Sequence, residues 1–341
     1  MTWNASSRRA DEAMKTRRVG PFEVSAIGLG CMNLVHAYGT PPPEEAAQAL
    51  LREALDLGIT FFDTAALYGF GASEELIGRT LAADRDRFVL ASKCGLHGVD
   101  GKRVVDGRPE TLKWSCEQSL KRLRTDRIDL FYLHRWDRNV PIEDSVGALG
   151  DLVREGKVRS IGLSEVSAAT LRRAHAVHPI SALQTEYSLW TRNPEIAVLD
   201  ACREIGAAFV AFCPLARGFL GGELRDVSTL QAKDLRRTMP RFEPASYAAN
   251  LTLLDGFISI ADELQCTPAQ LALAWVLSRG EHVLPIPGTT RIAHLRDNAK
   301  AAEIGLSAST LARLDALINQ RTVTGPRYDA AAQAGVDTEE F

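Results

Sequence analysis

The sequence predicts an α/β chain closed as a (β/α)8 (TIM) barrel, and three observations predict it. From about Ser25 onward, eight short apolar runs alternate with longer amphipathic ones. Several of the amphipathic runs stop at a glycine just before the next apolar run. Ionisable residues then fall at the C-terminal ends of successive apolar runs. An open doubly wound sheet shares the first two features. The third separates the layouts, because strand C-termini converge on one mouth in a barrel and spread along an edge in an open sheet.

The chain has 341 residues, 45% of them hydrophobic and 24% charged, with a net charge of −3. One large domain accommodates that length. The expected organisation is a loose lead-in over 1–14, the barrel over 15–321 and a tail over 322–341. The opening stretch MTWNASSRRADEAMKTRR is polar and basic, with no apolar region behind it. It reads as a lead-in and not as a signal peptide. No apolar run has the eighteen or so residues of a membrane span. Near-neutral charge gives no reason to expect nucleic acid or an anionic membrane as partner. Six cysteines are scattered without a C-x-x-C pair or clustered histidines, which speaks against zinc or a disulfide framework and for reduced thiols in a cytoplasmic protein.

Before the first unit, KTRRVGPFEV centres on Gly20-Pro21 and reads as a β-hairpin placed to plug the barrel's bottom. The expected strands are 26–30, 60–64, 87–92, 128–134, 158–164, 182–188, 208–214 and 283–288. Their unbroken apolar character suits parallel strands buried on both faces. Gly58, Gly156 and Gly206 are placed to end helices in a left-handed conformation. Thr267, Pro268 and Gln270 form a capping-box signature, and Ser307 is an N-cap with Leu306 and Leu311 as a staple. Long loops on the C-terminal face complete the picture. The one from Gly218 to about Ser246 lacks a period, and loops of that length are usually functional or disordered.

Two patterns invite a chemical reading. GLG at 28–30 lacks the sixth-position glycine of a dinucleotide fingerprint, where this chain has Asn33, so a tight strand exit explains it. The second pattern is stronger. Asp63, Lys93 and His134 close the second, third and fourth strands, and Tyr68 follows in the loop after the second. Each alone has a bland reading as a cap, a solvated lysine or a satisfied histidine. Together they converge on a barrel mouth.

The segment GITFFDTAALYGFGASEELIGRTL (58–81), with LASKCG (91–96) and FYLHRWD (131–137), resembles the aldo-keto reductase family. The likeness continues through GKVRSIGLSE (156–165), LQTEYSLWTR (183–192), FCPLARGFLGG (212–222) and IPGTTRIAHLRDN (286–298), covering residues 15 to 320. RRTMPRF and PLARGFL look most like the broad-specificity bacterial and plant branch related to pyridoxal reductases and auxin-induced-type reductases. The resemblance implies NADPH-dependent reduction of an aldehyde or ketone to the alcohol, with no metal.

Carbonyl reduction needs a hydride at carbon and a proton at oxygen. Tyr68 would be the general acid, but a free phenol has a pKa of about 10. Lys93 would lower it by stabilising the phenolate, Asp63 would hold Lys93 charged, and His134 would orient the substrate oxygen. The resemblance puts Ser164 and Gln184 on the nicotinamide carboxamide and Phe212 on the ring face. Leu215, Arg217 and Gly218 would wrap the pyrophosphate. Gly288, Thr290 and Arg291 open a helix after the eighth strand, where Thr290 and Arg291 would take the 2′-phosphate of NADP. Asp297 and Asn298 would meet the adenine.

Three positions depart from the family pattern. Glu165 stands where many members have Asn, His294 where others have Arg or Gln, and Phe212 where Tyr is common. Met32, Phe70, Trp136 and Trp190 lie on mouth loops and are expected to wall the substrate pocket, with ordinary loop packing as the alternative for each. The tail 325–341 is expected to cover that pocket or to reach a neighbouring subunit.

Two other enzyme classes fit poorly. A short-chain dehydrogenase needs Tyr-x-x-x-Lys, and no tyrosine here has that spacing. A metal-dependent barrel hydrolase would not place Lys93 beside Asp63. A regulatory cofactor-binding protein on the same fold, like the potassium-channel β-subunits, remains the alternative.

Overall fold

A computed structural model describes residues 14–99 and 102–341. The expected lead-in up to residue 13 lies outside the described residues. The chain opens with the hairpin β1 (Thr16–Val19) and β2 (Phe22–Ser25), paired antiparallel around Gly20. The barrel strands follow: β3 (Leu29–Gly30), β4 (Phe61–Asp63) and β5 (Val89–Cys94). After β5 comes a second hairpin, β6 (Leu96–Val99) with β7 (Lys102–Val105). Then come β8 (Ile128–Leu133), β9 (Val158–Ser164), β10 (Ile180–Glu186), β11 (Ala208–Phe212) and β12 (Val283–Pro285). The eight barrel strands are all parallel, in chain order from β3 to β12.

The seam explains why β3 and β12 are shorter than the sequence suggests. Gly28 N–H donates to Pro285 at 3.0 Å and Gly30 N–H to Pro287 at 3.3 Å, which closes the barrel. Neither proline has an N–H to return, so no regular ladder forms there. A Cβ on Gly28 would stand 2.9 Å from the Ile286 side chain, and one on Gly30 would stand 2.9 Å from the Ile286 carbonyl. The GLG run therefore serves close backbone approach at the seam.

The first hairpin plugs the N-terminal end, as expected. Val19 and Val24 join Phe61, Leu130, Val210 and Leu284 in the cluster that fills the barrel. The tip at Gly20 lies against Ser181, at the start of β10. Outside the barrel, apolar helix faces such as Leu50, Leu149 and Leu152 bury against outward strand residues such as Phe131 and Ile161.

Gly58, Gly156 and Gly206 do take left-handed φ angles of 83°, 74° and 72°. The capping box at Thr267 and Gln270 is formed, and Ser307 accepts the N–H of Thr310. Between Gly218 and Ser246 the chain runs through short 3-10 turns at Val227–Thr229, Leu235–Thr238 and Pro240–Phe242 before the helix Pro244–Glu263. The last two of these turns, the β6–β7 hairpin and the tail all stand at the C-terminal mouth. Among the described residues no helix is long and apolar enough to cross a membrane.

Candidate active site

Tyr68 is presented by a loop that the rest of its sequence segment holds in place. After β4 the chain enters a tight turn, Tyr68–Gly71, containing three left-handed residues. Thr64 Oγ1 donates to Ser73 Oγ at 2.8 Å, and Ser73 Oγ reaches the Cys31 carbonyl at 3.4 Å. Glu74 is fully buried and accepts from Ser92 Oγ at 2.5 Å and Arg122 Nε at 2.7 Å. These bonds pin the following helix to the barrel, and the turn with it.

Lys93 lies buried beneath that turn, and its three N–H donors have three acceptors. They are Asp63 Oδ1, the Thr64 carbonyl at 2.8 Å and the Tyr68 hydroxyl at 3.2 Å. The second Asp63 oxygen accepts from Gln184 Nε2 at 2.7 Å. Burial raises the Asp63 carboxyl pKa, and Lys93 with Gln184 offsets only part of that rise. Burial opposes the charge on Lys93, but Asp63 and Tyr68 outweigh it and hold the ammonium above its ordinary pKa. The pair is an ion pair.

The Tyr68 phenol behaves differently from the sequence expectation. Burial raises its pKa more than Lys93 lowers it, so the net direction is upward. His134 stands edge-on to Tyr68, with ring centroids 5.8 Å apart. Burial, with the charges of Arg135, Lys93 and Arg103, holds its pKa well below the ordinary value, so the imidazole is neutral. Its buried Nδ1 has no hydrogen-bond partner among the described residues.

A cavity of about 1550 Å³ opens above these residues. Asp63, Tyr68 and His134 line one part of it, and Arg291, Asp297 and Asn298 another. Ser164, Gln184 and Phe212 line it, as do Leu215, Arg217 and Gly218. So do Met32, Gly288 and Thr290. The volume exceeds that of an ordinary small-ligand pocket, leaving room for an elongated ligand beside a substrate. The buried Asn33 Oδ1, close to Gly288, has no partner among the described residues.

Some of these groups are already engaged. Arg291 is ion-paired with Glu223, which also meets His294 Nε2 at 3.1 Å. Asp297 accepts from Thr267 Oγ1 at 2.6 Å and Gln270 Nε2 at 2.9 Å. Arg217 is ion-paired with Glu186 at 2.7 Å.

Three expected wall residues do not line the cavity. Phe70 is turned outward by its left-handed backbone (φ 53°), is 66% exposed and lies over Gly98. Trp136 donates its indole N–H to the Val140 carbonyl at 3.0 Å and has Arg138 over its face at 4.8 Å. Trp190 is core, stacked on Phe219 at 4.3 Å and edge-on to Phe242. Each has a loop partner that the pattern of residue types does not announce.

The wall is built instead from His36, Tyr38, Leu96, Arg103, Arg135 and Tyr328. Glu165, the departure beside Ser164, is left-handed at φ 57°. Its carboxylate accepts from Arg327 of the tail at 2.7 Å and from the Glu186 N–H at 2.9 Å. Arg327 also reaches Glu186 at 3.1 Å, and Asp337 accepts from Thr170 Oγ1 at 2.6 Å. These bonds hold the tail over the cavity, which Tyr328 and Val336 help to line.

The sequence pattern of the aldo/keto reductase family matches residues 26–319. "Probable aldo-keto reductase 1" of Glycine max is 44% identical over 310 residues, covering 90% of this chain and 89% of the relative. "Aldo-keto reductase yakc [NADP(+)]" of Schizosaccharomyces pombe is 43% identical, covering 94% and 96%. Among solved structures, a glycerol dehydrogenase from Gluconobacter oxydans superposes with a TM-score of 0.83 at 29% identity, covering 92% and 98%. An aldo-keto reductase from Klebsiella pneumoniae in complex with NADPH superposes at 0.72 with 32% identity, covering 93% and 99%.

Proposed function

The chain belongs to the aldo/keto reductase family, and on that premise we propose that it reduces an aldehyde or ketone with NADPH, taking the proton from Tyr68. The observation that carries this reading is the threefold contact of the Lys93 ammonium with Asp63, Thr64 and the Tyr68 hydroxyl under the cavity.

When bound, NADPH supplies the hydride. The chain's own residues handle the proton and the alignment. Burial keeps the proton on Tyr68 before reaction, and Lys93 at 3.2 Å stabilises the phenolate as the proton leaves. Asp63 keeps Lys93 charged. His134, being neutral, offers a ring N–H to the substrate oxygen without competing for the Tyr68 proton.

The lining suits a dinucleotide. Gln184 spends its amide N–H on Asp63, which leaves its carbonyl oxygen for a carboxamide N–H. Ser164 and Phe212 stand with it on the nicotinamide side. Ala216, Arg217 and Gly218 are all left-handed, curling backbone at the cavity where a pyrophosphate would be held. Thr290 and Arg291 supply the donors for a 2′-phosphate, with Glu223 sharing the guanidinium. Relatives whose names or complexes carry NADP support that choice of nucleotide.

The direct test follows NADPH oxidation across aldehydes, cyclic ketones, keto-sugars and pyridoxal. Turnover on any of them, lost in Tyr68→Phe, is the expected result. NADPH binding with no carbonyl reduced would overturn the reading and leave a regulatory protein on this fold.

A further inference from the structure

Among the described residues, five arginines line the cavity: Arg103, Arg135, Arg217, Arg236 and Arg291. Three are neutralised, Arg217 by Glu186 and Arg236 by Asp234, each at 2.7 Å, and Arg291 by Glu223. Arg135 and Arg103 have no carboxylate partner among the described residues. They stand at the reacting end.

Arg135 follows His134 directly off the end of β8 and is half-buried. Its guanidinium is tethered through one nitrogen: Nη1 donates to the His134 carbonyl at 2.6 Å and to Ser164 Oγ at 3.3 Å. Nε and Nη2 make no hydrogen bond among the described residues, so part of the fork is free. Arg103 comes from β7 of the second hairpin, and its charge and that of Arg135 both bear on His134.

Among the described residues, the acids on the cavity wall are committed elsewhere. Asp63 holds Lys93 and Gln184, and Glu223 holds Arg291 and His294. Asp297 holds Thr267 and Gln270, and Asp329 caps the tail helix Ala330–Ala334. Met32, Leu96, Val105 and Val336 make the neighbouring wall apolar. A partly desolvated guanidinium in such a wall is satisfied best by an anion, and its planar fork matches a carboxylate or phosphate.

We propose that Arg135, with Arg103 lining the same cavity, receives an anionic group on the substrate, so that the protein prefers a short aldehyde or ketone bearing a carboxylate or phosphate over its neutral counterpart. This rests on the carbonyl-reductase reading of the same site. Arg135 adjoins His134, its Nη1 reaches the His134 carbonyl, and both line the cavity, which favours a substrate whose anion lies close to its carbonyl.

The test compares kcat/KM, with saturating NADPH, for succinic semialdehyde against butanal and for glyceraldehyde 3-phosphate against glyceraldehyde. At least one anionic member exceeds its neutral partner by about tenfold or more, the scale of a charged hydrogen bond. The pair that shows it tells carboxylate from phosphate. Arg135→Gln lowers that ratio about tenfold, Arg135→Lys retains most of it, and Arg103→Gln, an exposed change with little folding risk, lowers it less. The NADPH dissociation constant of Arg135→Gln stays within about twofold of the parent.

Equal rates within both pairs would overturn the proposal. So would a loss in Arg135→Gln that falls equally on both members of a pair or in parallel on NADPH, since Arg135 would then be holding His134 or the cofactor. If no aldehyde is reduced, the carbonyl reading has failed, and succinate and inorganic phosphate binding to the NADP-loaded protein by calorimetry decides this one. Binding that is lost in Arg135→Gln supports it, and absence of binding overturns it.

Discussion

The Tyr68 hydroxyl lies 3.2 Å from the Lys93 ammonium, and burial still leaves its pKa above the ordinary phenol value. Such an acid stays protonated through neutral pH, and Lys93 acts on the anion that remains after transfer. Tyr68→Phe is therefore expected to lower kcat by roughly 10²–10⁴, the range for removing a positioned general acid. NADPH affinity, read by fluorescence titration, should hardly change. The sign of the pH dependence follows. Reduction by the parent should be flat through neutrality and fall only on the alkaline side, as Tyr68 loses its proton. A limb centred near neutral pH would assign the proton to another group.

Glu165 and Arg327 tie the tail to the barrel, and both side chains are almost wholly buried. Removing one partner leaves an uncompensated buried charge, a loss of about 3–5 kcal/mol. Arg327→Met should therefore destabilise strongly, because among the described residues the Glu165 Oε2 already has no partner and Oε1 would keep only the Glu186 N–H. Adding Glu165→Asn should recover much of the loss, since Asn tolerates the left-handed backbone there. Urea midpoints of the two single variants and the double variant give the coupling directly. Additive losses would mean that the pair does not act as a unit.

Asp63, Lys93 and His134 are legible in the sequence because few structural roles put ionisable residues at the ends of buried apolar strands. Gly58, Gly156 and Gly206 are legible because a left-handed helix stop favours glycine. The second hairpin is harder to read. Asp100-Gly101 is a turn-favouring pair, but the hairpin's place at the mouth depends on how β5 exits. For Trp136 and Trp190 the sequence does not decide between pocket wall and loop packing. An aromatic type says nothing about which neighbour covers it, and the cover for Trp190, Phe219, comes from another loop. Arg327 is hidden for the same reason, because Glu165 and Glu186 lie on strand ends far back in the chain.

Arg291 is held by Glu223 across the mouth of the cavity, and both are more than half exposed. If the guanidinium binds the 2′-phosphate, Arg291→Ala should raise the NADPH dissociation constant about tenfold and change that of NADH by less than about twofold. Equilibrium titration with both nucleotides separates the outcomes. Equal weakening of the two would place Arg291 on a part of the nucleotide that they share.

His134 is buried with its pKa well below the ordinary value, and burial is the largest cause. The unfolded chain takes up a proton at this residue at about pH 6.5, whereas the folded protein does so only at much lower pH. The favourable contribution is thus complete above about pH 6.5 and is lost as pH falls below it, by at most about 1.4 kcal/mol per pH unit. His36 and His282 are lowered by burial too and add in the same direction. His134→Gln removes one of these protons. Its stability relative to the parent should improve between about pH 7.5 and about pH 5, whatever the substitution costs at the higher value. Urea denaturation at the two pH values measures this. An unchanged difference between parent and variant would mean that His134 titrates alike in both states, and the neutral imidazole assigned to the site would have to be given up.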